Sequence, residues 1–356
     1  MIRRRVALLR ESMEREGLDA FIVSSMPNIR YLTGFSGTSG LCIVRGNESF
    51  FLTDGRYVIQ SKMEVKQWKR LIVSDGLLEE VARRKLLKRC RRVGFESQAV
   101  TYAQYRAMRK LVGAVSFVST KDIVENIALV KDKQELDTIR EAVRTSDRVF
   151  HDVLRSIMPG VAELDIAAEI SYLHKKYGAE KDAFDPIVAS GERGSLPHAR
   201  ASTKRIRNGE MVTLDFGCTV RGYNSDITRT VAVGKASARA RKVYEVVRRA
   251  QFEAVQAAKA DMLAKDLDGV ARGWIQKKGY GKYFNHSLGH GLGLQVHERP
   301  RVSFLSKERL KEGSVITVEP GVYIPGFGGV RIEDDIVLTS NGCEVLNTAP
   351  KEFLIV

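Results

Sequence analysis

The sequence predicts a two-domain α+β chain: a small α/β domain over residues 1–123, then a larger domain over 124–356 that carries an internal repeat. Three observations predict it. At 356 residues the chain exceeds what one hydrophobic core usually organises. The stretch from residue 1 to about 120 alternates helical and strand patterns. Finally, "NGEMVTLDFG" (208–217) and "EGSVITVEPG" (312–321) each spell a turn, a strand and a carboxylate at the strand's end, Asp215 in one and Glu319 in the other.

In order along the small domain, residues 2–16 read as an amphipathic helix, "DAFIVSS" as a strand, and "MPN" as a polar turn. The strand pair "LCIVRG" and "SFFLTD" follows, then a helical stretch from Gly55, a strand near "RRVGF" and the helix "TYAQYRAMRKLVG". Between Ser119 and Ile157 a long helical segment is expected, because Leu136, Ile139, Ala142, Val143, Val149, Val153 and Leu154 recur at helical spacing. The repeat then extends beyond its strands. "AELDIAAEISYLHKKYGAE" (162–180) aligns with "KDLDGVARGWIQKKGYGKY" (265–283), pairing Leu164 and Asp165 with Leu267 and Asp268, 103 positions on.

Charge narrows the partners. Lys and Arg number 58 against 43 Asp and Glu, a net +15 that could serve an anionic partner. The basic residues fall instead in helical-looking runs, "RRKLLKRCRR" (83–92) and "RARKVYEVVRR" (239–249), which read as solvated helix faces. Neither nucleic acid nor a membrane is expected as a partner. Cys42, Cys90, Cys218 and Cys343 lie far apart with no CxxC pair, which fits a reduced cytoplasm. No stretch approaches the roughly 20 apolar residues of a membrane span, and the apolar run after the basic opening is too short for a signal peptide.

Each repeat offers two acids on a β-hairpin. After Asp215 the chain turns near Arg221-Gly222 and returns with Asp226; after Glu319 a longer turn returns with Glu333. If the first turn falls between Val220 and Arg221, Asp215 faces Asp226 directly; one residue later, the pair is diagonal but still within reach. A pseudo-twofold axis would bring the four carboxylates together, and such crowding demands protons or a counter-ion. A lone acid at a strand end is usually a solvated turn residue. Strand, acid, glycine and second acid, repeated in order behind matching helices, favour divalent metal instead. Between the hairpins, "NHSLGHGLGLQVHERP" (285–300) holds His286, His290 and His297 among glycines that permit close backbone approach. His290, flanked by glycines, reads as a ligand, whereas His151 and His174 in helical segments read as packed or solvated.

"HSLGHGLGLQVHE", "LDFG…NSDITRT" and "VEPGVYIPGFGGVRIEDD" closely resemble the signatures of the proline-specific metallopeptidases, Xaa-Pro aminopeptidase and Xaa-Pro dipeptidase (prolidase), which have the pita-bread fold. "NIRYLTGFSGTSG" and "LTDGRY" resemble the creatinase-type domain that precedes it. The resemblance implies two divalent ions held by Asp215, Asp226, His290, Glu319 and Glu333, with Asp226 and Glu333 bridging. It also implies that His198 and His297 lie around the substrate, that Arg331 lies near the metals, and that the protein is a homodimer. Glu319, at the metal edge, is the candidate to accept and return the catalytic proton. Oxygen-rich ligation favours manganese or cobalt, with zinc as the further option.

The activity expected from the resemblance is removal of the N-terminal residue from peptides with proline second. The alternative is a prolidase restricted to dipeptides, and the remote one a non-catalytic binding protein of the same fold. All five ligand types are retained, which argues against the metal-free creatinase and against lost catalysis.

Overall fold

A computed structural model describes residues 1–113 and 115–356, in two compact units, Met1–Ala128 and Leu129–Val356. The first is built on a six-stranded sheet in the order Lys69–Val73, Glu48–Asp54, Leu41–Arg45, Ala20–Val23, Arg92–Glu96, Ser116–Thr120. Ala20–Val23 lies at its centre and is buried along its length, antiparallel to one neighbour and parallel to the other. The edge strands Lys69–Val73 and Ser116–Thr120 were not read from the sequence; each is largely exposed, with a single buried residue at its end, unlike the buried central strand.

Three expectations for helices change. "MPN" does not turn but opens the helix Met26–Thr33, where the proline sits in the first turn and needs no N–H partner. The basic run 83–92 is not a helix face: the helix Leu77–Arg83 ends at its start, and Lys85 and Arg89 adopt positive φ. The long segment breaks into Ile123–Ala128 and Lys133–Val153, because Asp132 caps the second helix in a reciprocal box with Glu135. The expected domain boundary at 123/124 therefore falls at the first residue of Ile123–Ala128. The other basic run does lie on a helix, Ala238–Ala257, with Arg241, Lys242 and Arg249 exposed and Val243, Tyr244, Val246 and Val247 buried.

The second unit is written twice. Helices Glu163–Lys176 and Ala264–Lys277 are each followed by an antiparallel sheet, one ordered Ile227–Ala232, Met211–Phe216, Ile187–Ser190, the other containing Gly289–Gly291, Val315–Val318 and Asp334–Leu338. Each half has its own apolar core. The helix repeat runs in a different register from the sequence alignment. Glu163 N donates to Lys204 O as Ala264 N donates to Glu308 O, and Ala162 bridges Arg205 as Leu263 bridges Arg309. Glu163 thus corresponds to Ala264, and buried Ile166 to buried Leu267, so the 103-residue match of Leu164 to Leu267 is two residues out. Leu164 is exposed and Leu267 is not. Among the described residues, no helix is long and apolar enough to cross a membrane, and the four cysteines are free thiols.

Candidate metal centre

The first hairpin turns on Arg221 and Gly222, both at positive φ (44° and 83°), which sets the register of the strands on either side. Asp215 consequently pairs with Thr228, and Asp226 falls two positions off, opposite Gly217. The direct Asp215–Asp226 pairing does not form; the diagonal placement does. Gly217 is required there, since a Cβ would lie 1.9 Å from the Ser225 carbonyl oxygen. In the second half Val318 pairs with Asp334 and Gly321 with Arg331, which sets Glu319 directly across from Glu333. The hairpins meet along one seam: Glu333 N donates to Thr228 O (3.1 Å), Thr228 Oγ1 to Glu333 Oε2 (2.6 Å), and Arg331 N to Thr230 Oγ1 (3.2 Å).

His290 arrives on the short strand Gly289–Gly291, where a Cβ on either glycine would come within 2.0 or 2.1 Å of a neighbouring carbonyl. Its Nδ1 lies 3.1 Å from Gly291 O; a carbonyl only accepts, so Nδ1 carries the proton and Nε2 keeps its lone pair. That Nε2 faces Glu319 Oε1 at 3.5 Å and Asp226 Oδ2 at 3.8 Å. One ligand atom each from Asp226, His290 and Glu333 lie within 4.8 Å of one another. Asp226 Oδ1 is buried with no hydrogen-bond donor among the described residues. An imidazole oriented through its other nitrogen, buried acceptors without donors and clustered carboxylates together suit a divalent cation. Asp215 stands beside this group with its carboxylate held by Arg331.

Electrostatics agree with that donor set. Burial, then the charges of Glu333 and Asp215, push the Asp226 carboxyl well above its usual range. Glu333 is raised in the same direction by burial and then by Glu319 and Asp215, and burial lifts Glu319 to about 8. Burial, followed by the charge of His297, lowers His290 to about 4, so its ring is neutral and free to coordinate near pH 7. Such a cluster exchanges protons for cations.

The remaining residues surround this group. His297 is exposed and packs edge-on against His290, ring centroids 4.4 Å apart. His198, also exposed, lies close enough for its charge to act on His286 and His297. Arg331 is 4% exposed and donates to Asp215, to Thr228 Oγ1 (3.0 Å), to Tyr323 OH (2.6 Å) and to Pro197 O (3.3 Å). Two groups outside the sequence-derived site belong to the same network. Tyr323 OH contacts His286 Nε2 at 2.9 Å, and His286 Nδ1 lies 4.0 Å from Glu319 Oε2. Tyr323 shares the Glu319 hairpin, and its place four residues after that acid was the available signal. His174 is fully buried against Asp182 and His151 is exposed, both away from the carboxylates.

Comparison with known proteins identifies the family. Residues 137–340 match metallopeptidase family M24, and residues 5–130 match the creatinase/prolidase N-terminal domain. A protein of Pyrococcus horikoshii named Xaa-Pro dipeptidase is 40% identical over 97% of this chain and 97% of its own. Among solved structures, one titled Xaa-Pro dipeptidase from Bacillus anthracis superposes with a TM-score of 0.96 at 39% identity, covering 100% of both chains. An X-Pro aminopeptidase from Thermotoga maritima reaches 0.90 at 38% identity over 97% of this chain and 100% of its own. The second unit therefore has the pita-bread fold, and the chain belongs to the proline-specific branch of metallopeptidase family M24, with a creatinase-type domain ahead of the catalytic one.

Proposed function

We propose that the chain is an Xaa-Pro dipeptidase, a prolidase, working through two divalent ions held by Asp215, Asp226, His290, Glu319 and Glu333. The aminopeptidase preference of the sequence reading gives way, because the full-length relatives cited above from Pyrococcus horikoshii and Bacillus anthracis carry the dipeptidase name. The observation that carries the reaction class is the set of unspent ligand atoms, Asp226 Oδ1 and His290 Nε2, in a buried carboxylate cluster. The aminopeptidase remains the second reading, on the likeness to the Thermotoga maritima protein.

Divalent ions at such a site activate water and polarise the scissile carbonyl. The protein supplies the rest. Glu319, whose side chain keeps 17% exposure, accepts a proton from the attacking water and returns it to the leaving proline nitrogen. His198 and His297 donate to the charge that develops on the carbonyl oxygen. Arg331 fixes Asp215 and, through Pro197 O, the segment bearing His198. The substrate's tertiary amide has no N–H to grip, so recognition rests on shape. Oxygen-rich ligation with one imidazole favours manganese or cobalt.

The test is hydrolysis of Ala-Pro beside Ala-Pro-Ala by protein stripped with chelator and then given manganese or cobalt. Cleavage of the dipeptide alone, dependent on metal return, is expected; cleavage of the tripeptide would transfer the chain to the aminopeptidase reading. Failure on both substrates with metal bound would remove the proline specificity. In the same assay His297→Ala is expected to keep its metal and lose turnover by roughly 100-fold. Metal loss in that variant would make His297 a ligand.

A further inference from the structure

Glu163 is a fully buried carboxylate that the reaction does not use. Its Oε1 accepts from Ser190 N and Ser190 Oγ, both at 2.8 Å, and its Oε2 from Arg193 Nε (2.9 Å), Ser202 N (3.2 Å) and Ser202 Oγ (2.7 Å). All five donors belong to one stretch of chain, 190–202, and that stretch carries His198. Ser190 ends the strand Ile187–Ser190 and Ser202 follows the histidine, so the carboxylate ties together the two ends of the loop. Backbone bonds from Glu163 N to Lys204 O and from Leu164 N to Ser202 O fasten the same end to the helix start.

The internal repeat supplies the control. The second half makes the equivalent helix-start bonds with Ala264 where the first has Glu163, and that alanine is also fully buried. The architecture therefore closes without an acid at this position. Burying a carboxylate is costly unless every lone pair is engaged, and the cost is met in the half whose loop bears His198. Other contacts hold the loop as well: Arg331 on Pro197 O (3.3 Å), Lys204 Nζ on Ser190 Oγ (2.7 Å), and the close approaches of Gly194 to Gly329 and of Gly191 to Gly328, where a Cβ on Gly194 would lie 3.1 Å from the Gly329 nitrogen and one on Gly328 2.6 Å from the Gly191 oxygen. Among them only the Glu163 carboxylate joins Ser190 to Ser202. His198 itself is exposed, while Ala199 beside it is buried.

We infer that Glu163 is a positioning residue for catalysis, clasping the ends of the 190–202 loop so that His198 is presented to the substrate carbonyl. The inference rests on the role given to His198 above. Glu163→Gln keeps the shape but turns an amide N–H toward donors at one end of the loop, so one end is released. A displaced group of this kind costs on the order of 10-fold to 100-fold in rate.

The experiment compares kcat, KM, metal content and melting temperature of the metal-loaded full chain as Glu163→Gln, His198→Ala, the double variant and the milder Ser202→Ala. The expected result is a drop of about 10-fold to 100-fold in kcat for Glu163→Gln, with KM and metal content held. The double variant is expected to be no slower than His198→Ala alone, a non-additivity that general destabilisation does not produce. Normal kcat in Glu163→Gln beside a slow His198→Ala overturns the inference alone, as do losses that multiply in the double variant. Normal kcat in His198→Ala overturns the role of His198 and this inference with it. If Glu163→Gln does not fold, Ser202→Ala takes its place in the same cycle, with a smaller loss and the same non-additivity expected.

Discussion

Asp226→Asn is expected to abolish activity and metal occupancy together. Asp226 is 4% exposed, its Oδ1 has no donor among the described residues, and its backbone N–H is fixed by Asp335 Oδ2 at 2.9 Å, so the side chain has a set position and an unused charge. Asparagine keeps the volume but removes the charge and can place N–H groups where a cation needs a lone pair. Metal-ion assistance is worth several kcal/mol of transition-state stabilisation. Losing about 4 kcal/mol corresponds to roughly a 1,000-fold fall in kcat/KM. Elemental analysis of the purified variant beside kcat/KM on Ala-Pro checks both halves of the expectation. An active variant sinks the assignment of the centre. An inactive variant that still holds metal would make Asp226 a participant in the chemistry rather than a ligand. The stripped variant is also expected to melt no lower than stripped parent, because one of several crowded, buried acids has been neutralised.

The acids of the candidate centre were legible in the sequence because they are tied to a period-two strand pattern that was written twice. Their exact partners were less legible. Whether Asp215 faces Asp226 depends on a one-residue choice of turn, and the positive φ of Arg221 decided it. In the second hairpin the acids do face each other, so the repeat preserves residue types while its pairing geometry differs. The helix repeat was misaligned by two residues because Leu-Asp occurs in both copies by sequence, whereas burial follows Ile166 and Leu267. The split at Asp132 was readable, since Asp132 and Glu135 have capping-box spacing, but apolar periodicity on both sides masked it. Arg331 was found two residues before Glu333; its hold on Pro197 O joins positions 134 residues apart and has no local signature. The same holds for Glu163, whose five donors are distant in sequence and whose helix-start position looks like an ordinary first-turn acid.

Chelator-stripped protein is expected to lose stability as pH rises from 6.5 to 8, while metal-loaded protein does not. Burial holds Glu319 at about 8, against 4.5 ordinarily, and raises Asp226 and Glu333 in the same direction. The folded, metal-free state therefore keeps protons that the unfolded chain has already released, so unfolding releases protons and stability falls with rising pH. Three histidines work the other way: burial lowers His286 to about 3, His290 to about 4 and His297 in the same direction, giving stability that grows as pH rises toward their ordinary 6.5. At pH 6.5 those rings are still about half protonated in the unfolded chain and lose that proton over the next unit, a partial offset; Glu319, with Asp226 and Glu333 acting in the same direction, sets the sign. Glu319 by itself contributes a loss of about 2 kcal/mol across that window, which lowers the melting temperature by roughly 4–8 °C for a domain of this size. Metal replaces the protons, so the gap in melting temperature between loaded and stripped protein should widen with pH, and calorimetry in buffers of different ionisation heat should show protons released on binding. A gap that stays constant from pH 6.5 to 8 would mean that the cluster is already ionised without metal. The carboxylates would then be solvated, and the buried acidic centre on which the dinuclear reading depends would not exist in solution.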